Sequence, residues 1–252
     1  MIHFYELATL NASQKQRLLR RAETQIDALI ERVRPIVQAV RERGDEALIE
    51  FTERFDHVQL TPQQLRVSPE EIEQAHKLLD PSVRAALEHA IRNVRTLHER
   101  QMPQELWFTE VAPGVMAGEK ITPISSVGLY VPRGKGAFPS VMYMLATPAR
   151  IAGVPRVVVC TPPAPDGSVD AASLVAADLC GVHEIYRLGG AQAIAALAYG
   201  TATIARVHKI TGPGSGYVAA AKRLLYGTID VGLPAGPSES ILLADASANA
   251  EL

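Results

Sequence analysis

The sequence has few cysteines, no strong excess of charge and no long apolar run, and each absence excludes a class of protein. Its two cysteines, Cys160 and Cys180, are too few for a disulfide framework and too far apart for a paired metal motif. The net charge of −2 provides no basic field to attract nucleic acid or an anionic membrane. No apolar stretch approaches the roughly 20 residues of a membrane helix. Without a signal-peptide pattern at the amino terminus, we expect a cytoplasmic protein with no nucleic-acid or membrane partner.

The histidines and serines also lack the spacing of common catalytic sites. None of the seven histidines forms an H-x-x-x-H pair or stands at a zinc-ligand spacing from a carboxylate. No G-x-S-x-G motif is present that would make Ser238 a nucleophile. The spacing therefore predicts no metal site within these 252 residues.

The N-terminal part of the chain follows a helical period with a charged outer face. Helices are predicted to begin at five places, marked by Ser13 with Gln16 in capping-box spacing, by Pro35, by Asp45, by Ser68-Pro69 and by Asp80-Pro81. Residues 102–118, which contain proline and glycine, predict a linker or a short hairpin. A charged helix face of this kind is typical of a solvated surface, so we assign it no chemistry.

From Lys120 onward, short apolar strands alternate with helices. Strands are predicted over 126–131, 156–161, 184–188 and 207–210, and helices over 140–152, 170–179, 191–199 and 217–225. Strands joined by helices in this way are parallel with right-handed crossovers, which predicts a doubly wound, Rossmann-like α/β domain. A last strand over 240–244 and the start of a helix over 248–252 indicate that further sequence normally follows.

Glycine-bearing loops follow the predicted strands, where an open parallel sheet binds its ligands. These loops cover 130–136, 189–192, 212–216 and 234–239. Glycines let backbone N–H groups reach a pyrophosphate at a helix N-terminus. However, Gly212, Gly214 and Gly216 alternate and do not match G-x-G-x-x-G, so a cofactor loop and a plain tight turn remain alternatives.

In these loops the sequence resembles the histidinol dehydrogenase family. The segments that carry the resemblance are 127–132, 139–140, 148–154, 160–163, 189–196, 209–214, 229–230 and 234–239, in that order. The resemblance implies an NAD-dependent oxidoreductase of histidine biosynthesis. Members of the family oxidise L-histidinol through L-histidinal to L-histidine in two hydride transfers, use zinc to hold the substrate, and work as homodimers.

The resemblance also implies roles for individual residues. Tyr130 and Gln192 match positions that contact NAD, and Ser238 matches a substrate-binding serine. Ser215 stands where the family has asparagine, so one hydroxyl replaces an amide that both donates and accepts. The family's zinc ligands and proton-transferring residues lie beyond the segment that matches 244–252. The resemblance therefore implies a truncated, inactive chain with no catalytic residue and no metal ligand.

The resemblance further implies a division into three segments. Residues 1–122 are the mainly helical part of a first, incomplete α/β domain, residues 123–233 form the Rossmann-like NAD-binding domain, and residues 234–252 return to the first domain. Two other functions remain as hypotheses. One is a related NAD-dependent polyol dehydrogenase, favoured by Ser215 and the 133–136 loop; the other is a non-catalytic nucleotide-binding paralogue, favoured by the early end of the sequence.

Overall fold

The computed structural model describes residues 4–6, 8–20, 26–134, 136–232, 245 and 247–249. The chain divides into two compact units, one made of Met1–Gln25 with Ala235–Leu252 and the other of Ile26–Pro234. Within the described ranges, every helix is too short or too polar to cross a bilayer. The predicted strand over 240–244 and most of the predicted helix over 248–252 lie outside the described residues.

The first unit contains helix α1 (Ala12–Arg20), which begins two residues earlier than its predicted capping pair requires. The backbone N–H of Gln14 donates to Asn11 Oδ1, and that of Asn11 donates to Gln14 Oε1, both at 2.9 Å. The predicted pairing of Ser13 with Gln16 is therefore wrong. Asparagine caps as well as serine, and the glutamine three residues after it completes the reciprocal pair.

The second unit opens with helices α2 (Ile26–Arg43) and α3 (Asp45–Asp56), separated by Gly44 with φ of 55°. The predicted helix start at Pro35 is wrong, because Pro35 lies inside α2. The buried residues Val33, Val37 and Val40 share one face on both sides of the proline. Burial of that continuous apolar face favours one helix despite the hydrogen bond that the proline removes.

Helices α4 (Pro69–Leu78) and α5 (Pro81–Arg100) begin where their caps predict, and a short 3₁₀ helix, Pro62–Leu65, precedes them. Ser68 and Glu71 form a reciprocal capping box, with the Glu71 carboxylate accepting from the Ser68 N–H at 2.9 Å. The Asp80 carboxylate accepts from the Ser82 N–H at 2.7 Å. A proline in the first turn suits both helices, since that position needs no N–H donor.

Strands β1 (Leu106–Ala112) and β2 (Val115–Lys120) form an antiparallel hairpin, which confirms the hairpin alternative for this region. Gly114, with φ of 77°, makes the turn. Every residue of both strands is exposed, including several large apolar side chains.

The predicted Rossmann-like parallel sheet is present. Its strands in the described part are β3 (Ser126–Tyr130), β4 (Arg156–Thr161), β5 (Glu184–Arg187) and β6 (Lys209–Thr211). They are all parallel, in the order β5-β4-β3-β6. The connecting helices are α6 (Pro139–Ile151), α7 (Ala171–Leu179), α8 (Gly190–Tyr199) and α9 (Gly216–Leu225). Because β4 and β6 lie on opposite sides of β3, the strand order reverses there.

Helices cover both faces of this sheet. One buried cluster joins α4, α5, α6 and α7 to the face that carries Leu129 and Val159. The other joins α2, α3, α8 and α9 to the face that carries Tyr130 and Cys160. Helices α2 to α5 therefore belong to the same compact unit as the sheet, and the division of the chain after residues 122 and 233 stays a prediction.

Candidate functional site

The carboxyl ends of β3 and β6 meet where the strand order reverses, which is where open parallel sheets bind ligands. Leu129 pairs with Thr211 in the parallel register, so Tyr130 and Gly212 follow side by side. Gly212 has φ of 118°, and a Cβ on it would lie 2.1 Å from the carbonyl oxygen of Tyr130. Only glycine lets the two chains run this close, so backbone borders the crevice that is expected beyond these strand ends.

Tyr130 connects the central strand to the start of α8. Its side chain is buried, and its hydroxyl oxygen accepts a hydrogen bond from the Gly190 N–H at 3.0 Å. That N–H belongs to the first turn of α8, where backbone donors have no intrahelical partner. Burial raises the pKa of Tyr130 to about 12, with a further contribution from the Asp56 carboxylate. The phenol therefore stays neutral at ordinary pH and keeps a proton to donate.

Gln192 lies two residues further along α8 and is almost completely buried, with 1% of its surface exposed. Its Oε1 has no hydrogen-bond partner among the described residues. A Cβ on Gly190 would lie 2.7 Å from this oxygen, so Tyr130 and Gln192 both approach the same glycine. A buried carbonyl oxygen without a donor costs about 1–3 kcal/mol, which a ligand carrying a donor would recover.

Ser215 occupies the N-cap position of α9, on the loop that leaves β6. It is exposed, and among the described residues its side chain makes no capping hydrogen bond. In the same loop, a Cβ on Gly214 would lie 2.4 Å from Val218 Cγ1, so this turn also requires glycine. This loop therefore carries the N-terminus of α9 and a Ser215 hydroxyl that does not cap it, next to the strand where the sheet order reverses.

Lys222 supports this loop from α9 and was not among the predicted site residues. Its Nζ donates to the carbonyl oxygen of Gly212 at 2.5 Å. Burial lowers the pKa of Lys222 to about 8. In the sequence it is one polar position on an amphipathic helix, and no local pattern marks it.

Asp56, the last residue of α3, is a second site residue that the sequence prediction missed. A Cβ on Gly189 would lie 3.4 Å from Asp56 Oδ1 and 2.9 Å from Pro162 Cγ. Asp56 Oδ2 is buried and has no hydrogen-bond partner in the described part of the protein. Burial raises the pKa of Asp56 to about 6, against the opposing charges of His57 and Arg133.

We expect Asp56→Asn to change how stability depends on pH. Because burial raises the Asp56 pKa from 3.8 to about 6, the proton favours the folded state. This stabilisation is complete below about pH 4 and is lost as the pH rises through about 6. Asparagine does not ionise, so the variant does not lose this stabilisation as the pH rises. Above about pH 6 it should have a larger free energy of unfolding than the original chain.

Urea unfolding across this pH range measures the effect. Glu53→Gln, exposed on the same helix, can still accept the hydrogen bond from Gln59 and is the control for removing one negative charge. If the difference in unfolding free energy between Asp56→Asn and the original chain were constant with pH, the burial of this carboxylate would be contradicted.

The predicted substrate-binding Ser238 lies outside the described residues. Within them, no group of three or more histidine, cysteine or acidic side chains is arranged to hold a metal ion. A cleft of about 610 Å³ adjoins the end of α3 and is lined by Glu53, His57, Val58, Gln59, Pro165 and Asp166.

Comparison with known proteins places these features in a family. The sequence model described as histidinol dehydrogenase matches residues 19–252. A histidinol dehydrogenase of Synechocystis is 52% identical over all of this chain and 58% of its own length. A histidinol dehydrogenase homolog of Rhizobium meliloti is 54% identical over 97% of this chain and 54% of its own length. The chain thus spans about half the length of the curated relatives it matches.

A solved structure agrees with the sequence comparisons. The crystal structure of histidinol dehydrogenase from Elizabethkingia anophelis is 34% identical and superposes with a TM-score of 0.83. The similarity covers 91% of this chain and 52% of that one.

Proposed function

We propose, since this chain belongs to the histidinol dehydrogenase family, that it forms the NAD-binding part of an enzyme that oxidises L-histidinol to L-histidine. The observation that carries the proposal is the buried Gln192 Oε1, which lacks a donor among the described residues and lies beside the N-terminus of α8. This oxygen stands at the ligand-binding edge of a parallel sheet. A dinucleotide supplies amide and hydroxyl donors to such an oxygen.

The surrounding residues suit a dinucleotide in shape and charge. Helices α8 and α9 begin directly after the loops that leave β5 and β6, and the positive end of each helix dipole favours a pyrophosphate. Gly212 and Gly214 let the loop after β6 run close to Tyr130 and Val218, where a side chain would collide. Tyr130 and Ser215 add one hydroxyl group each. When bound, NAD accepts the hydride that leaves the alcohol carbon, and these residues bind and orient it.

The substrate and metal belong to the proposal through the family. We propose that L-histidinol is the substrate, that Ser238 contacts it and that zinc holds it. We propose that the described residues of this chain bind NAD and that L-histidinol is the alcohol oxidised. A steady-state assay with NAD, zinc and histidinol tests the second half of that statement.

The central experiment replaces Gln192 with methionine, which has similar volume and no carbonyl oxygen. Removing the orphaned oxygen should raise the free energy of unfolding by about 1 kcal/mol and weaken NAD binding about five- to thirtyfold. Calorimetry with NAD and urea unfolding measure the two effects. A variant that is more stable but binds NAD more weakly identifies Gln192 as a binding residue, because replacing a structural residue would lower stability as well.

Gln38→Met, on the exposed face of α2, is the matched control and should leave NAD affinity unchanged. Undiminished NAD binding by Gln192→Met, or no saturable NAD binding by the original chain, would overturn the proposed role of this crevice.

We also propose that the chain forms a homodimer, with the β1–β2 hairpin at the interface. Phe108 is 64% exposed and Met116 is 60% exposed. Phe108 is paired with Gly118, and Glu110 is paired with Met116. Phe108 and Glu110 are two residues apart on β1, and side chains alternate between the two faces, so Phe108 and Met116 lie on the same face. An isolated two-stranded hairpin is only marginally stable, and a second copy covering this face would stabilise it.

A variant with both Phe108→Glu and Met116→Glu should therefore sediment as a monomer where the original chain is a dimer. Thr109→Glu, on the opposite face of the hairpin, is the control and should stay dimeric. A dimer that persists in the double variant excludes this face as the interface. A monomeric original chain at high concentration rejects the dimer itself.

A further inference from the structure

We infer that Asp56 holds the ribose hydroxyls of the adenosine half of the dinucleotide and sets a preference for NAD over its 2′-phosphorylated counterpart, NADP. The inference rests on the proposed function and assigns a specificity role within the same site. Two buried acceptor atoms, Asp56 Oδ2 and Gln192 Oε1, have no hydrogen-bond donor among the described residues. Each one needs a ligand that brings hydrogen-bond donors.

The position of Asp56 fits the adenosine half. In doubly wound sheets with this reversal of strand order, an acidic residue near the end of the second strand holds the ribose hydroxyls. Here β3 is followed by β4 as the second strand, and β4 ends in Thr161-Pro162-Pro163, without an acid. A Cβ on Gly189 would lie 2.9 Å from Pro162 Cγ and 3.4 Å from Asp56 Oδ1, so α3 brings a carboxylate near this strand end.

The chemistry of the Asp56 carboxylate favours a diol over an anion. An ionised carboxylate only accepts hydrogen bonds, and a ribose diol offers two O–H donors. A 2′-phosphate offers acceptors and negative charge, so it is repelled at the same position. The charged groups that act on Asp56 are His57 and Arg133, which favour its ionised form. Tyr130, close enough for the Asp56 charge to act on it, stays a neutral phenol.

Two glycines, Gly189 and Gly190, let the loop between β5 and α8 pass close to the Asp56 carboxylate. Gly190 has φ of 59°, and a side chain on Gly189 would strike Pro162. The backbone after β5 therefore passes directly over Pro162 and beside Asp56. A ligand seated on the N-terminus of α8 meets the carboxylate from α3 and the amide of Gln192 in the same crevice.

The test measures the dissociation constants of NAD, NADP and 2′-deoxyadenosine-NAD by calorimetry. The proteins are the original chain, Asp56→Asn and Glu50→Gln. The original chain should bind NAD at least about tenfold more tightly than NADP. Asp56→Asn should lose about five- to tenfold in NAD affinity and most of that preference. Removing the 2′-hydroxyl from the ligand should weaken binding to the original chain more than to Asp56→Asn. Glu50→Gln should match the original chain throughout.

The possible outcomes separate the two proposals. If Asp56→Asn and Glu50→Gln show the same NAD affinity and the same NAD-to-NADP ratio, the Asp56 assignment is overturned and NAD binding stands. If the original chain binds none of the three nucleotides, the proposed function falls and this assignment falls with it. Because asparagine has the same shape as aspartate, loss of fold does not confuse the result; circular dichroism of each variant verifies this.

Discussion

Gly212→Ala is expected to lower the free energy of unfolding by about 3–5 kcal/mol and to abolish NAD binding. A Cβ at this position would lie 2.1 Å from the Tyr130 carbonyl oxygen, at a φ of 118° that L-residues rarely adopt. The chain can accept alanine only if β6 moves away from β3. That movement breaks the parallel register next to Leu129 and Thr211 and opens the crevice.

The control is Gly227→Ala, which separates backbone strain from collision. Gly227 has φ of 87°, and a Cβ there meets nothing within 4 Å in the described structure. This substitution should cost only the conformational penalty, about 1–2 kcal/mol, and should leave NAD affinity unchanged. Urea unfolding and calorimetry measure both variants. If Gly212→Ala cost no more than Gly227→Ala, the close approach of β3 and β6 would be disproved.

Gly128 and Leu197 are expected to show strong energetic coupling. A Cβ on Gly128, in the middle of β3, would lie 2.8 and 2.9 Å from the two terminal methyl carbons of the fully buried Leu197 on α8. Gly128→Ala should therefore destabilise by about 1–3 kcal/mol through overpacking. Leu197→Ala should destabilise by about 2–5 kcal/mol through the cavity it leaves. The double variant should cost about 1–2 kcal/mol less than the sum, because the new methyl occupies part of that cavity.

A double-mutant cycle in urea measures this coupling. The comparison cycle pairs Gly128→Ala with Leu174→Ala, which lies in the cluster on the opposite face of the sheet. That pair shares no cavity, so its effects should add. Additive effects for Gly128 and Leu197 as well would mean that α8 does not pack directly on the central strand.

Several elements could be predicted from the sequence because short-range chemistry determines them. The strand over 156–161 has the predicted bounds, and the caps at Ser68 and Asp80 begin helices where expected. In each case the deciding residues are neighbours in the chain. Pro35 misled the prediction because burial of a continuous apolar face outweighs the local preference of proline for a helix start.

The packing of the N-terminal helices could not be predicted in the same way. A helical period shows which side of α2 is apolar, and it does not show which sheet that side will cover. The structure places α2 and α3 on one face of the parallel sheet and α4 and α5 on the other. This arrangement depends on contacts between residues far apart in the sequence.

The same difference between local signals and long-range contacts applies to the candidate site. Tyr130, Gln192 and Ser215 stand in or beside glycine-bearing loops, so the loops themselves pointed to them, and the structure brings Tyr130 and Gln192 to the same glycine. Asp56 and Lys222 arrive from helices without any local motif. Their signals are a carboxylate without a donor and an ammonium group against a loop carbonyl, which exist only once the chain is folded.

The hydrogen bond from the Gly190 N–H to the Tyr130 hydroxyl has a consequence for how quickly a cofactor can bind. It fixes the first turn of α8 to the central strand before any ligand arrives. The mouth of the crevice is then pre-organised, and association pays little ordering entropy at this end. Encounter with the nucleotide should accordingly follow a single concentration-dependent phase, with no slower rearrangement limiting the rate.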